Sequence, residues 1–382
     1  MIGWIAAAFL IMTSAAIAAD PPQKAEGVVR VAAFNVALNR RNPGELAQEL
    51  RLGVSAQVDA VVEIIQRVRP DIILINEIDH DARQIAAQLF RNALKVGRQG
   101  GVGINYPHLF TATSNTGVSS GFDLDKDGRV FGPKDAFGFG YFLGQYGMAL
   151  LSLHPIEQPR TFQDQRWADM PGHLIPMEFY GEAATSLRLS SKSHWDAPVT
   201  LPDGRTIHIL VSHPTPPVFD SPVNENGRRN HDEIRFWVDY VTGRDWMRDD
   251  AGVQGGLAPG AGWAVLGDLN ADPSDGASMR AAILSLLNVA QDPKPGSAGA
   301  IESAAIGANR RHRGDPATDT ADWKDEPGPG NLRIDYVLPS QDWEVVGSGV
   351  FWPAKGDPLR RLVGDGEVVV SSDHRLVWVD IR

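Results

Sequence analysis

The stretch Trp263-Ala264-Val265-Leu266-Gly267-Asp268-Leu269-Asn270 decides how the rest of the chain is read. An apolar run forms a strand, and the strand ends on an Asp and an Asn one residue apart. Alternate residues of an extended strand point to the same side, so Asp268 and Asn270 project together from one tip. A carboxylate beside a neutral amide suits phosphate chemistry. The acid orients or deprotonates a water, and the amide donates to a phosphoryl oxygen without adding negative charge near an anion. A strand-ending turn uses the same two residue types, so the reading depends on what other strand tips carry.

Outward from this stretch, strands are expected over residues 28–36, 71–76, 148–153, 206–212, 333–338 and 376–381, most of them β-branched or aromatic. Helical patterns lie between them. Val54, Val58, Val61, Ile65 and Val68 repeat at three- and four-residue steps until Pro70 ends the helix. A second helix is expected from near Asn230 through Val241. A third is expected after Pro273-Ser274-Asp275, including Met279, Ile283, Leu286 and Leu287. Many strands with few helices predict packed sheets flanked by helices rather than a regularly alternating wheel. Residues 20–382 read as one domain with two long irregular insertions, near 97–145 and 290–330, placed at the rim of a site.

Composition bounds the function. In 382 residues, 43% hydrophobic and 22% charged content is ordinary for a globular protein that buries a sizeable core. A formal net charge of -11 argues against nucleic-acid binding by a broad basic face, though it leaves room for a nuclease with a small positive cleft. The absence of Cys excludes disulfides, thiolate metal sites and Cys nucleophiles. Residues 1–19 carry no charged side chain, and Ala16-Ile17-Ala18 gives the small-x-small pattern of a cleavage site before Asp20. The expectation is a signal peptide and a secreted or periplasmic protein, with an uncleaved N-terminal anchor as the alternative.

Other strand tips carry polar residues of the same kind. Asn35 ends the first strand. Glu77 follows Ile72-Ile73-Leu74-Ile75-Asn76, where a fixed carboxylate open to water makes a good hard-cation ligand. His213 follows Ile207 to Ser212, and Pro214, Pro216 and Pro217 stiffen the exit, so its imidazole is held to donate to a phosphoryl oxygen. Asp335 lies in Arg333-Ile334-Asp335-Tyr336-Val337-Leu338, and Asp373-His374 precede the last strand. The adjacent Asp373 and His374 point apart and have separate tasks, the first on metal or water and the second on phosphate. Asp335 is placed to hold the other ring nitrogen of His374.

Taken in order, Asn35, Ile75-Asn76-Glu77, Tyr146-Gly147-Met148-Ala149-Leu150-Leu151-Ser152, Ser212-His213, Gly267-Asp268-Leu269-Asn270, Ile334-Asp335-Tyr336-Val337 and Ser372-Asp373-His374 resemble the motifs of the endonuclease/exonuclease/phosphatase superfamily. The resemblance spans roughly residues 28–381 and implies a four-layer αββα sandwich, in which two central, mostly antiparallel sheets are flanked by helices. It implies a metal-dependent hydrolase that cleaves phosphoester bonds by in-line attack of water. On that implication Glu77 binds Mg²⁺ or Mn²⁺ with help from Asn35 and Asp373. Asp268 orients and deprotonates the water, Asn270 and His213 hold phosphoryl oxygens, and Asp335 with His374 stabilises transition-state charge. Asn76 stands where the family usually has Gln, and Ala37 where DNA-repair relatives carry a second acid.

Two further features are candidates. Asp123, Asp125 and Asp127 with Gly128 match the first half of a calcium loop, but Lys134 occupies the position of the usual bidentate Glu and Asp135 falls one residue late. Structural Ca²⁺ is therefore an expectation alongside a solvated acidic turn. Arg310 and Arg311, in the densest basic run, and Arg228 and Arg229, before the second helix, are candidate contacts to extra substrate phosphates. The leading function is an exported, divalent-metal-dependent phosphodiesterase of nuclease type; the alternatives are a phosphomonoesterase acting on small organic or inositol phosphates, and a catalytically silent binding module. The expected partner is a phosphoester substrate, nucleic acid or small organic phosphate, taken by a monomer without a stable protein partner.

Overall fold

Two β-sheets share one hydrophobic core in the computed structural model, which describes residues 21–97, 100–365 and 369–382. The signal peptide expected over residues 1–19 lies outside the described residues. The strands are β1 (Val29–Leu38), β2 (Ile72–Ile78), β3 (His108–Phe110), β4 (Met148–Ser152), β5 (Arg160–Thr161), β6 (Trp195–Thr200), β7 (Thr206–Val211), β8 (Gly262–Asp268), β9 (Ala321–Asp322), β10 (Asn331–Leu332), β11 (Asp335–Pro339), β12 (Val345–Val350) and β13 (Val377–Ile381). The helices are α1 (Glu45–Leu52), α2 (Ala56–Val68), α3 (Ile85–Leu94), α4 (Met177–Tyr180), α5 (Glu225–Val241), α6 (Ala281–Val289) and α7 (Ala298–Ser303).

One sheet has six strands in the order β12-β13-β1-β2-β4-β3, and the other has five in the order β11-β8-β7-β6-β5. Each is mainly antiparallel, with one parallel pair: β1 with β2 and β7 with β8. Those central strands are apolar on both faces because one face meets the other sheet and the opposite face meets helices. Ile72, Ile73, Leu74 and Ile75 are fully buried for that reason. The expected sandwich of two mostly antiparallel sheets flanked by helices is the architecture found.

Helix α2 begins where the Ser55 hydroxyl accepts from the Val58 amide at 3.3 Å, and Arg69 in the left-handed region turns the chain before Pro70. Two helix starts differ from expectation. Helix α5 begins at Glu225 rather than near Asn230, because the Asp220 carboxylate in the preceding loop accepts from the Asn226 amide at 2.5 Å and serves as its cap. Helix α6 begins at Ala281, leaving Met279 outside. Pro273-Ser274-Asp275 instead forms a turn in which Asp272 Oδ1 accepts from the Ser274 and Asp275 amides, both at 2.7 Å.

The backbone departs from regular strand geometry near the polar tips. Glu77, Ala37 and Asn270 adopt φ of 60°, 48° and 52°, a region costly for side chains other than Gly. Gly267 has φ 150°, and a Cβ there would lie 2.1 Å from the Ser212 carbonyl oxygen. Only glycine lets β8 pass this close to the end of β7, immediately before Asp268 and beside His213.

Candidate active site

Five tips from both sheets converge. Asn35 comes from β1, Glu77 from β2, His213 follows β7, Asp268 ends β8 and Asp335 begins β11. Antiparallel register pairs Asp335 directly with Asp268. His374 is brought alongside by a bridge between Ala321 and His374 just before β13. The two sheets are tied at this point by side chains: Asn35 Nδ2 donates to Asp268 Oδ2 at 3.1 Å, and the Asp268 amide donates to Asn76 Oδ1 at 3.3 Å.

Asp268 is the hub. Its Oδ1 accepts from the Asn270 amide at 2.9 Å, while its Oδ2 lies 3.3 Å from His213 Nε2 and 3.7 Å from His374 Nε2. Asp335 Oδ2 lies 2.9 Å from His374 Nδ1 and also accepts from the Thr320 hydroxyl at 2.8 Å. Asn35, Asp268, His213, Asp335 and His374 are all buried.

Burial alone would raise the Asp268 carboxyl, but His374, His213 and Asn35 outweigh it and hold the group well below the usual carboxylate range. Burial opposes charge on His374, yet the Asp335 and Asp268 carboxylates prevail and raise its pKa well above the ordinary imidazole value. The Asp335 carboxyl sits above its usual range because burial exceeds the help from His374. The result is an imidazolium held between two acids, with both Nε2 atoms of the histidine pair turned toward one carboxylate oxygen.

Glu77 flanks this cluster. Its side chain keeps 21% exposure, and Oε1 lies 4.0 Å from His213 Nε2. Asp268, Asp335 and His374 each place a ligand atom within 4.8 Å of the others. Asp268, Asp335 and Glu77 supply carboxylate oxygens, donors that fit a hard divalent cation rather than a soft one. Glu77 is the acid best placed to bind such an ion while remaining open to water, with Asn35 adjoining the same cluster.

Other expected site residues have additional tasks. Asn270 Nδ2 donates to the Pro214 carbonyl at 3.1 Å, which fixes the stiff exit after His213. Asp373 Oδ2 accepts from Trp323 Nε1 at 3.1 Å, so its carboxylate is anchored by the second insertion. Arg229 spends its guanidinium on the carbonyls of Leu189, Phe137 and Arg188, and Arg228 donates to the Val223 carbonyl. Arg310 donates to the Ala305 carbonyl, and exposed Arg311 pairs with Glu326 at 3.1 Å. None of these four arginines has a hydrogen bond to the Asp268 cluster.

In the acidic loop, Asp123 and Asp125 are joined by Asp135 rather than Asp127. Asp127 turns instead to the Arg129 amide at 2.9 Å, a local turn that takes it out of the group. Thr320 and Trp323 carry no sequence signal, and Asn76, read as part of the Glu77 motif, gains its partner Asp268 from long-range strand register. Lys192, a buried cation, has no motif around it either.

A two-sheet sandwich carrying acids, amides and histidines at converging strand tips defines a class of metal-dependent phosphoester hydrolases. The chain belongs to the Endonuclease/Exonuclease/phosphatase family, whose family model matches residues 32–374. Members of this family hydrolyse phosphoesters with divalent metals. Solved structures similar to it include an endonuclease/exonuclease/phosphatase from Beutenbergia cavernae DSM 12333, at 19% identity and TM-score 0.48, covering 93% of this chain and 71% of that one. A family protein from Leptotrichia buccalis C-1013-b matches at 15% identity and TM-score 0.47, covering 93% and 99%. Sphingomyelinase C from Streptomyces griseocarneus matches at 15% identity and TM-score 0.44, covering 92% and 99%. No curated protein matches the chain.

Proposed function

We propose that the protein is an exported phosphodiesterase whose hydrolytic centre is the Asp268 cluster. The observation that carries this reading is the pair of imidazoles, His213 and His374, facing one oxygen of Asp268 at the junction of the two sheets. Glu77 with Asn35 would hold a divalent cation, Mg²⁺ or Mn²⁺, which when bound would neutralise phosphate charge and make a water more acidic. Asp268 accepts a hydrogen bond from the attacking water and aligns it. Because its neighbours keep this carboxylate strongly acidic, orientation is a larger part of its task than proton abstraction.

An arriving phosphoryl oxygen competes with Asp268 for the Nε2–H groups of His213 and His374. Charge developing on the phosphoryl oxygens then strengthens bonds that the strand tips have already positioned. Asp335 keeps His374 protonated and fixes its ring. The engagement of Arg228, Arg229, Arg310 and Arg311 elsewhere favours a singly charged diester over a doubly charged monoester or a multiply phosphorylated inositol. Export rests on residues 1–19, whose uncharged, small-residue pattern fits a signal peptide.

The test assays the purified protein with Mg²⁺, Mn²⁺, Ca²⁺ or EDTA against plasmid DNA, bis-p-nitrophenyl phosphate, p-nitrophenyl phosphate, sphingomyelin and inositol phosphates. Cleavage of diesters that EDTA abolishes is the expected result. Preference for p-nitrophenyl phosphate would overturn the diester assignment, and inactivity on every substrate would favour a binding module.

A further inference from the structure

Lys192 is buried to 7% exposure in the segment between β5 and β6, remote in sequence from every motif of the site. Its ammonium makes no hydrogen bond and no ion pair with any described residue, although an ammonium carries three donors. The carboxylates that act on it are Glu233, Glu77 and Asp268, with Arg229 the opposing cation. Two of those acids belong to the site described above.

The segment carrying Lys192 is clamped. The Lys192 carbonyl accepts from the Asn115 amide at 2.9 Å, and the Ser191 hydroxyl donates to the His213 carbonyl at 3.3 Å. The Ser191 amide donates to Glu233 Oε1 at 2.6 Å, and His194 Nε2 lies 2.8 Å from the Glu233 carbonyl. Gly138 packs so tightly that a Cβ there would stand 1.7 Å from the Ser191 carbonyl oxygen. The backbone that carries Lys192 is therefore held beside the end of β7 and His213.

A structural task for the charge is neutralisation of buried Glu233. That carboxylate is already bonded, with Oε1 to the Ser191 amide and Oε2 to the Thr215 amide at 2.6 Å. A largely buried ammonium with no bonding partner gains from an anion that reaches it. Burial does push the Lys192 pKa down, and the nearby carboxylates resist it. A cation held at Glu77 would offset one of those carboxylates, and an anion would then be the favoured partner for the ammonium.

We propose that Lys192 is a phosphate-binding residue of this site, its ammonium donating to a phosphoryl oxygen of the bound phosphoester or of inorganic phosphate. This inference rests on the phosphoesterase reading for the identity of the anion. It adds to His213 and His374 a permanently positioned donor from a third segment, which accounts for the tight packing of residues 190–194 against the end of β7.

The test compares the full chain with Lys192→Met and Lys192→Arg. Inorganic phosphate binding is measured by calorimetry with and without Mg²⁺, and KM and kcat are measured on bis-p-nitrophenyl phosphate. Loss of one charge-assisted hydrogen bond predicts phosphate binding weakened by about tenfold or more in Lys192→Met. Lys192→Arg restores most of it, and KM on the diester rises in Lys192→Met. Unchanged phosphate affinity in Lys192→Met, or equal loss in both variants, would overturn the proposal. If Lys192→Met fails to melt cooperatively, the ¹⁵N resonance of the Lys192 ammonium in the unsubstituted protein is followed during phosphate titration, where a shift is expected and none contradicts it. Phosphate binding without turnover of any substrate would count against the phosphoesterase reading alone.

Discussion

Two acidic constellations in this molecule look alike as lists of residues and differ in what surrounds them. At the strand tips, Asp268 and Asp335 face each other in register, and beside one backbone amide and the Thr320 hydroxyl, the groups turned toward them include two imidazoles and the Asn35 amide from separate elements. In the loop at Asp123, the two carboxylate oxygens accept from the Asp127 and Gly128 amides at 3.1 and 3.0 Å, and Asp135 accepts from the Leu124 amide at 2.8 Å. Backbone donors turn those acids into staples of their own loop. Imidazoles carry exchangeable protons that an arriving anion can compete for, so gathering carboxylates is not by itself chemistry.

The largest break in this contrast comes from His374→Gln, which removes the charged donor while leaving the fold's strands paired. kcat on a phosphodiester should fall by roughly 10²–10⁴-fold, and a loss under threefold would remove His374 from the reaction. Asp335→Asn works through pH. His374 has a raised pKa in the folded protein, so its imidazolium is fully present at low pH and is lost as pH rises through that value. Without the Asp335 charge the alkaline limb of kcat/KM should move to lower pH by roughly 1–3 units; an unmoved limb assigns the titration elsewhere.

The loop should answer in stability instead. Asp135→Ala removes the bond to Leu124 and should cost about 1.5–3 kcal/mol in urea unfolding, with kcat unchanged; a matching loss of activity would merge the two regions functionally. A pH-dependent effect comes from Asp319, which burial and the Asp272, Asp275 and Asp315 charges raise to about 8. A carboxyl raised in the folded state favours folding when protonated, and that contribution is lost as pH climbs from about 4 through about 8. Asp319→Asn should therefore melt higher than the unsubstituted protein at alkaline pH and equally at acid pH, read by thermal unfolding at both.

The contrast also explains what could be read from the chain. The tips of β1, β2, β7, β8 and β11 were legible because each apolar run begins or ends on a polar residue that a core would not need. β6 was missed because Pro198 interrupts its pattern, and β12 because Gly347 and Gly349 do. Gly349 is required there, since a Cβ would lie 2.9 Å from the Trp378 ring. Lys192, Thr320 and Trp323 were invisible because sheet register and loop packing, not local spacing, bring them to the site. The start of α5 was displaced because its cap comes from Asp220, and that of α6 because residues 272–275 form a turn around Asp272 instead of opening the helix.

The most direct test of the claim that the strand tips, not the acidic loop, form the hydrolytic centre is Mg²⁺-dependent turnover of bis-p-nitrophenyl phosphate by Asp268→Asn beside Asp125→Asn. The account predicts that both melt cooperatively, that Asp125→Asn keeps its rate, and that Asp268→Asn loses at least about a hundredfold. Near-normal turnover by a folded Asp268→Asn protein would contradict it.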